Sequence, residues 1–129
     1  METVEGLHHV ALRCNDLEGC ERFYADVLGL PVLKRWPGEG GGDRSVWMSL
    51  GRGFLALERA TRPVEDAPFE DAPAGWQVVA LAIRPSERAA WKERLSTRGV
   101  SLERESPWTL FLRDPEGNRV ALSHWPEEA

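Results

Sequence analysis

His9 is the residue on which chemistry in this chain would turn. It lies in Leu7-His8-His9-Val10-Ala11-Leu12-Arg13, and an imidazole can exchange a proton near neutral pH, hydrogen-bond a ligand or coordinate a metal. Side chains two apart on a strand share a face, so His9, Ala11 and Arg13 oppose His8, Val10, Leu12 and Cys14. The same rule applied to Phe54-Leu55-Ala56-Leu57-Glu58 sets Phe54, Ala56 and Glu58 against Leu55 and Leu57. Glu58 is therefore the carboxylate that could serve His9 as acid/base partner, although a strand-end glutamate equally suits plain solvation. Arg13 and Arg84 end two similar strands and could bracket an anionic ligand through paired hydrogen bonds, or simply extend into water. His8 and His124 fall on the opposite face and read as structural or surface residues. Cys14 and Cys20 read as small buried hydrophobes, because no basic neighbour or metal-ligand spacing accompanies them.

Positioning these groups takes a scaffold that occurs twice. Val79-Ala80-Leu81-Ala82-Ile83-Arg84 copies the opening strand half a chain later, and each copy leads into a cap candidate (Asn15 or Asp16; Ser86), a helical stretch and a glycine stop (Gly29; Gly99). In the first helix Leu17, Cys20, Phe23, Tyr24, Val27 and Leu28 recur at three- and four-residue steps, and Asn15 with Glu18 has capping-box spacing. Val32 to Trp36 resumes as a strand, Pro37 to Asp43 is a mobile glycine-rich loop, and Ser45 to Leu50 with Phe54 to Glu58 makes a hairpin. No Lys-Ser/Thr pair or helix start follows the glycines, which excludes a phosphate loop. Arg62 to Gly75, with Pro63, Pro68 and Pro73, reads as a tether. The second half should run as a strand in Trp76 to Arg84 and a helix from Ser86 to about Arg98 with Ala90, Trp91 and Leu95 inside. Strands Val100 to Arg104, Trp108 to Arg113 and Val120 to Trp125 follow, the last two joined by the turn Asp114-Pro115-Glu116-Gly117-Asn118.

Alternation sorts the second half as it sorts the first. Ala80, Ala82 and Arg84 oppose Leu81 and Ile83, and Ala121, Ser123 and Trp125 oppose Val120 and Leu122. One face is bulky and apolar, ready for a helix; the other is floored with alanine and leaves room above it. The second face is the expected cavity, lined by His9, Ala11, Arg13, Ala56, Ala80, Ala82, Arg84, Ala121, Ser123 and Trp125. Six tryptophans would supply aromatic walls, though the facing of Trp47 and Trp108 is open. Phenylalanine at Ala80 or Ala121 should block that cavity and leave the fold intact.

The bulk properties narrow the function. A chain of 129 residues is one domain's worth, and a net charge of −5 argues against nucleic acid or an anionic membrane as the main partner. Two cysteines and no apolar leader read as a cytoplasmic protein with reduced thiols.

Leu7-His8-His9-Val10-Ala11-Leu12 running into Asn15-Asp16-Leu17, then Phe23-Tyr24, Leu28-Gly29-Leu30, Phe111-Leu112-Arg113-Asp114-Pro115-Glu116-Gly117-Asn118 and Val120-Ala121-Leu122 resemble the glyoxalase/bleomycin-resistance/dioxygenase family, the vicinal oxygen chelate superfamily. The resemblance implies an α+β fold, two βαβββ modules forming a cupped mixed sheet with helices outside (glyoxalase/bleomycin-resistance/dihydroxybiphenyl dioxygenase-like). It implies a single domain over 1–129, with module one at about 4–60, a linker at about 61–75 and module two at about 76–126, and it implies a homodimer. Family members with metal-dependent chemistry place ligands at positions matching His9, Ala56, Ala80 and Ala121; only His9 can bind metal, so no metal site and no cofactor are expected, and a divalent ion would find His9 alone. The resulting expectation is a metal-free protein binding a small aromatic or anionic molecule in the cleft between its modules. The alternative is a lyase, isomerase or dioxygenase of the same family, lactoylglutathione lyase-like, either metal-dependent or using His9 and Glu58 as acid and base. A structural or partner-binding module is a third reading.

Overall fold

The computed structural model describes residues 2–62 and 74–129, and the chain divides into two compact units, Met1–Val64 and Glu65–Ala129. In the first unit the order is β1 (His9–Cys14), α1 (Leu17–Arg22, continued by a π turn at Phe23–Val27), β2 (Val32–Pro37), β3 (Asp43–Ser49) and β4 (Phe54–Arg59). The second repeats it: β5 (Val79–Ala82), a 3₁₀ turn (Pro85–Glu87), α2 (Arg88–Thr97), β6 (Arg104–Glu105), β7 (Thr109–Arg113) and β8 (Arg119–Ser123). The sheets are ordered β1-β4-β3-β2 and β5-β8-β7-β6. In each, the first and last strands are parallel neighbours and the rest are antiparallel. This is the two-module βαβββ arrangement.

Each helix covers one sheet face. Leu17, Cys20, Phe23, Tyr24 and Leu28 are buried against a layer that includes Cys14, Val46, Met48, Leu55 and Leu57, the residues strand alternation assigns to the apolar face. Charge pins the helix at its rim: Arg59 pairs with Glu18, and Arg35 Nη2 lies 2.6 Å from Glu21 Oε2. In the second unit Leu95, Leu110, Leu112, Val120 and Leu122 are all buried. Arg88 ties α2 to the strands by donating to Ser106 O (2.7 Å) and His124 Nε2 (3.1 Å). A guanidinium can only donate, so His124 Nε2 accepts and its proton sits on Nδ1, which points at Glu127 O. His124 is thus a buried structural histidine.

Several local expectations shift, each for a visible reason. The first helix is capped by Asp16, whose side chain accepts from Gly19 N (3.0 Å), and Glu18 is drawn away from Asn15 by Arg59. Ser86 falls inside the 3₁₀ turn rather than capping α2. Ala90 is exposed, whereas Leu95 is buried and Trp91 half-buried. Val100 belongs to the end of α2, its N–H donating to Leu95 O at 2.8 Å, so the following strand shrinks to Arg104–Glu105. Trp76 is 94% exposed and pairing begins only at Val79. The Pro37–Asp43 loop closes as a tight turn, with Gly38 N–H donating to Gly42 O at 3.0 Å. Most of the expected tether lies outside the described residues. Among the described residues no helix is long and apolar enough to cross a membrane.

Candidate functional site

The face of the first sheet turned away from its helix is built in three rows set by register. Row one is His9–Phe54–Ser49, row two Ala11–Ala56–Trp47–Lys34, and row three Arg13–Glu58–Ser45–Trp36. His9, Ala11, Arg13, Ala56 and Glu58 thus share one face. Register also settles Trp47, whose ring stacks on Phe54 with centroids 4.5 Å apart. His9 stacks on the other side of Phe54 at 4.8 Å, and Trp36 meets Trp47 edge-on at 5.2 Å. Four rings therefore cross the sheet from β1 to β2 as one ledge, with Ala11 and Ala56 beside it. Ala56 is buried, while His9, Ala11 and Arg13 are exposed.

His8 departs from its expected place. It precedes the first residue of β1, so strand alternation does not govern it, and its ring packs on Phe54 (5.6 Å) with His8 Nδ1 2.9 Å from His9 Nδ1. Gly53 enables this approach: a Cβ there would meet His8 O at 2.5 Å, and its φ of +72° already favours glycine. Of two facing ring nitrogens at this distance one donates and the other accepts.

In the second unit the face opposite Val120 and Leu122 carries Ala80–Ala121–Phe111–Arg104 in one row and Ala82–Ser123–Thr109 in the next. Ser123 Oγ and Thr109 Oγ1 are 2.9 Å apart, and the Arg104 guanidinium lies 4.3 Å above the Phe111 ring. Ala80 and Ala82 are exposed, but Ala121 is 1% exposed and is packed rather than open floor. At the far end Glu103 binds both Arg113 and Arg119, with Arg119 Nη2 at 2.6 Å from Oε1. Arg113 foremost, with Arg119, holds the Glu103 carboxyl below the ordinary carboxylate range.

Two expected lining residues sit elsewhere. Arg84 lies beyond β5 with its side chain 83% exposed, paired loosely with Glu87 at 3.8 Å. Trp125 lies past the end of β8 and is 70% exposed. Trp36, Ser45 and Trp47 join the face without having been among the residues expected to line it. Alternation within Ser45-Val46-Trp47-Met48-Ser49 is the signal that could have found the last two.

Register also corrects the repeat. Ala11 faces Ala56 and Ala80 faces Ala121, so if Ala56 and Ala121 correspond, Ala80 corresponds to Ala11. The counterpart of His9 is then Val78, two residues earlier than expected. The donor set is one imidazole with valine and alanines, which have no lone pair to offer, so these residues do not fit the metal that the family's chemistry implies. Among the described residues no three His, Cys, Asp or Glu side chains are grouped to hold an ion.

A putative ring-cleaving dioxygenase, MhqE, of Bacillus subtilis (strain 168) is 29% identical over 125 residues, covering 83% of this chain and 35% of that protein. The chain therefore spans about a third of the length of this curated relative. Among solved structures, lactoylglutathione lyase from Agrobacterium tumefaciens superposes with a TM-score of 0.74 at 24% identity, covering 98% of this chain and 100% of that one. The fosfomycin resistance protein FosX from Mesorhizobium loti superposes at 0.71 with 16% identity, covering 94% and 92%. The two-module topology agrees with both folds, and the sequence model of the Glyoxalase/Bleomycin resistance protein/Dioxygenase superfamily matches residues 6–122. The chain belongs to that superfamily.

Proposed function

We propose that this protein binds a flat aromatic small molecule on the open face of its first sheet, without a metal. The supporting observation is the ledge of four rings, His9, Phe54, Trp47 and Trp36, lying beside Ala11 and Ala56. Rings at offset-stacking distance leave a π surface on which another ring can lie, and the exposed Ala11 beside them leaves its height free. Arg13 at the end of β1 offers a charge to an acidic substituent. Titration with 2-naphthoate should quench tryptophan fluorescence saturably, because Trp36 and Trp47 are part of the ledge. Phe54→Ala should weaken binding by about tenfold, the worth of one aromatic pair at the upper end. Quenching that never saturates would sink the proposal.

An enzyme reading, lyase or isomerase, draws support from the 2.9 Å contact between His8 Nδ1 and His9 Nδ1, two groups of the acid/base type on one spot. His9 and Glu58 are not an adjacent acid/base pair, however. They stand four residues apart along the ladder, about 13 Å at strand rise, so they could act only at two ends of one substrate. The oligomer proposed is a homodimer, since β1 and β5 each end their sheet with an outer edge able to take part in pairing. Light scattering at about 50 micromolar, where a micromolar interface is mostly occupied, should return twice the chain mass. A chain-mass particle would refute it.

A further inference from the structure

Among the described residues three buried side-chain polar atoms have no hydrogen-bond partner: Trp36 Nε1, Ser45 Oγ and Trp47 Nε1. They are neighbours. Trp36 and Ser45 are register partners, Trp47 is two residues from Ser45 on the same face, and the two indoles touch. Ser45 is 2% exposed. Buried polar groups are nearly always paired, and leaving three together unpaired forfeits the hydrogen bonds each made to water. Two of the three can only donate, so what satisfies them must bring an acceptor.

The geometry points to an anchoring subsite at Trp36, Ser45 and Trp47 that holds a neutral acceptor oxygen, a carbonyl attached to the aromatic ring of the ligand. This rests on the aromatic-ligand reading and adds to it the part of the ligand that is recognised. A cationic or donor-rich group is excluded, because donors would meet donors. An anionic oxygen is disfavoured, because Glu58 is the register partner of Ser45 on the other side, while Lys34 is engaged 4.9 Å above the Trp36 ring. A carbonyl carries the required lone pairs without that repulsion. It would sit at the β2–β3 end of the ledge, remote from His9 on β1.

Calorimetry with three naphthalenes separates the possibilities: 2-acetylnaphthalene carries the carbonyl, 2-ethylnaphthalene has nearly its shape without an acceptor, and 2-naphthoate carries an anion. The acetyl compound should bind about tenfold more tightly than the ethyl compound, the usual worth of a buried hydrogen-bond set missing in the analogue. Ser45→Ala and Trp36→Phe should each reduce that advantage, read as the ratio of acetyl to ethyl affinity measured within the same variant. In the unmodified protein, the indole N–H resonances of Trp36 and Trp47 should move downfield with the acetyl compound and not with the ethyl one, a readout independent of whether any variant folds. Equal binding of acetyl and ethyl compounds with unmoved indole resonances would overturn the subsite while the ring ledge stood. Tightest binding of 2-naphthoate, lost in Arg13→Gln, would also overturn it, in favour of anion selection. Binding of none of the three would overturn the subsite together with the aromatic-ligand reading.

Discussion

Replacing Glu103 by leucine should lower the free energy of unfolding by about 3 kcal/mol, measured by urea denaturation. Glu103 is the carboxylate between Arg113 and Arg119, and Arg119 is 5% exposed. Removing it withdraws the carboxylate that two guanidiniums share, one of them buried, and hydrogen bonds to charged groups contribute about 1.5–3 kcal/mol; the upper end applies because Glu103 serves both. Glu103→Gln keeps the acceptor oxygen and loses the charge, so its cost should be about half. The same pair sets a pH dependence. Arg113 first, then Arg119, lower the folded-state pKa of Glu103 from its ordinary 4.5, so its stabilisation is present in full above that value and is lost as pH falls through the lowered one. The gap between wild type and Glu103→Gln should be constant from pH 6 to 8 and close in acid. A gap that stays unchanged all the way to the acid unfolding of the wild type would mean the charge contributes nothing.

The second large effect separates two alanines that alternation treats alike. Ala121 is on a central strand, 1% exposed between Ala80 and Phe111, so Ala121→Phe should destabilise by about 2–3 kcal/mol, the cost of overpacking. The expectation that phenylalanine here leaves the fold intact is therefore corrected. Ala80 and Ala11 lie exposed on edge strands, and phenylalanine at either should change stability by no more than about 0.5 kcal/mol. Ala11→Phe places a ring beside the ledge where the ligand is proposed to lie, and should weaken 2-naphthoate binding by about a hundredfold. Unchanged affinity in a folded Ala11→Phe variant would remove the open face of the first sheet as the binding surface.

The order of residues along the chain carries whatever depends on near neighbours in it. A strand turns its side chains over every residue and a helix every three or four, so the split of His9, Ala11 and Arg13 from Val10, Leu12 and Cys14, and the apolar stripe from Leu17 to Leu28, are legible locally. The repeat is legible too, because two copies of one local pattern betray themselves by likeness. Features set between strands are not legible in this way. Register is chosen by how strands slide to bury their apolar face, and that choice put Phe54 between His9 and Trp47, set Ser45 between Glu58 and Trp36, and placed Ala11 rather than His9 opposite Ala56. Burial is likewise a property of the neighbours a strand acquires. Ala80 and Ala121 have the same side chain on the same face, and only their places, one on an edge and one in the interior of a sheet, make the first exposed and the second packed.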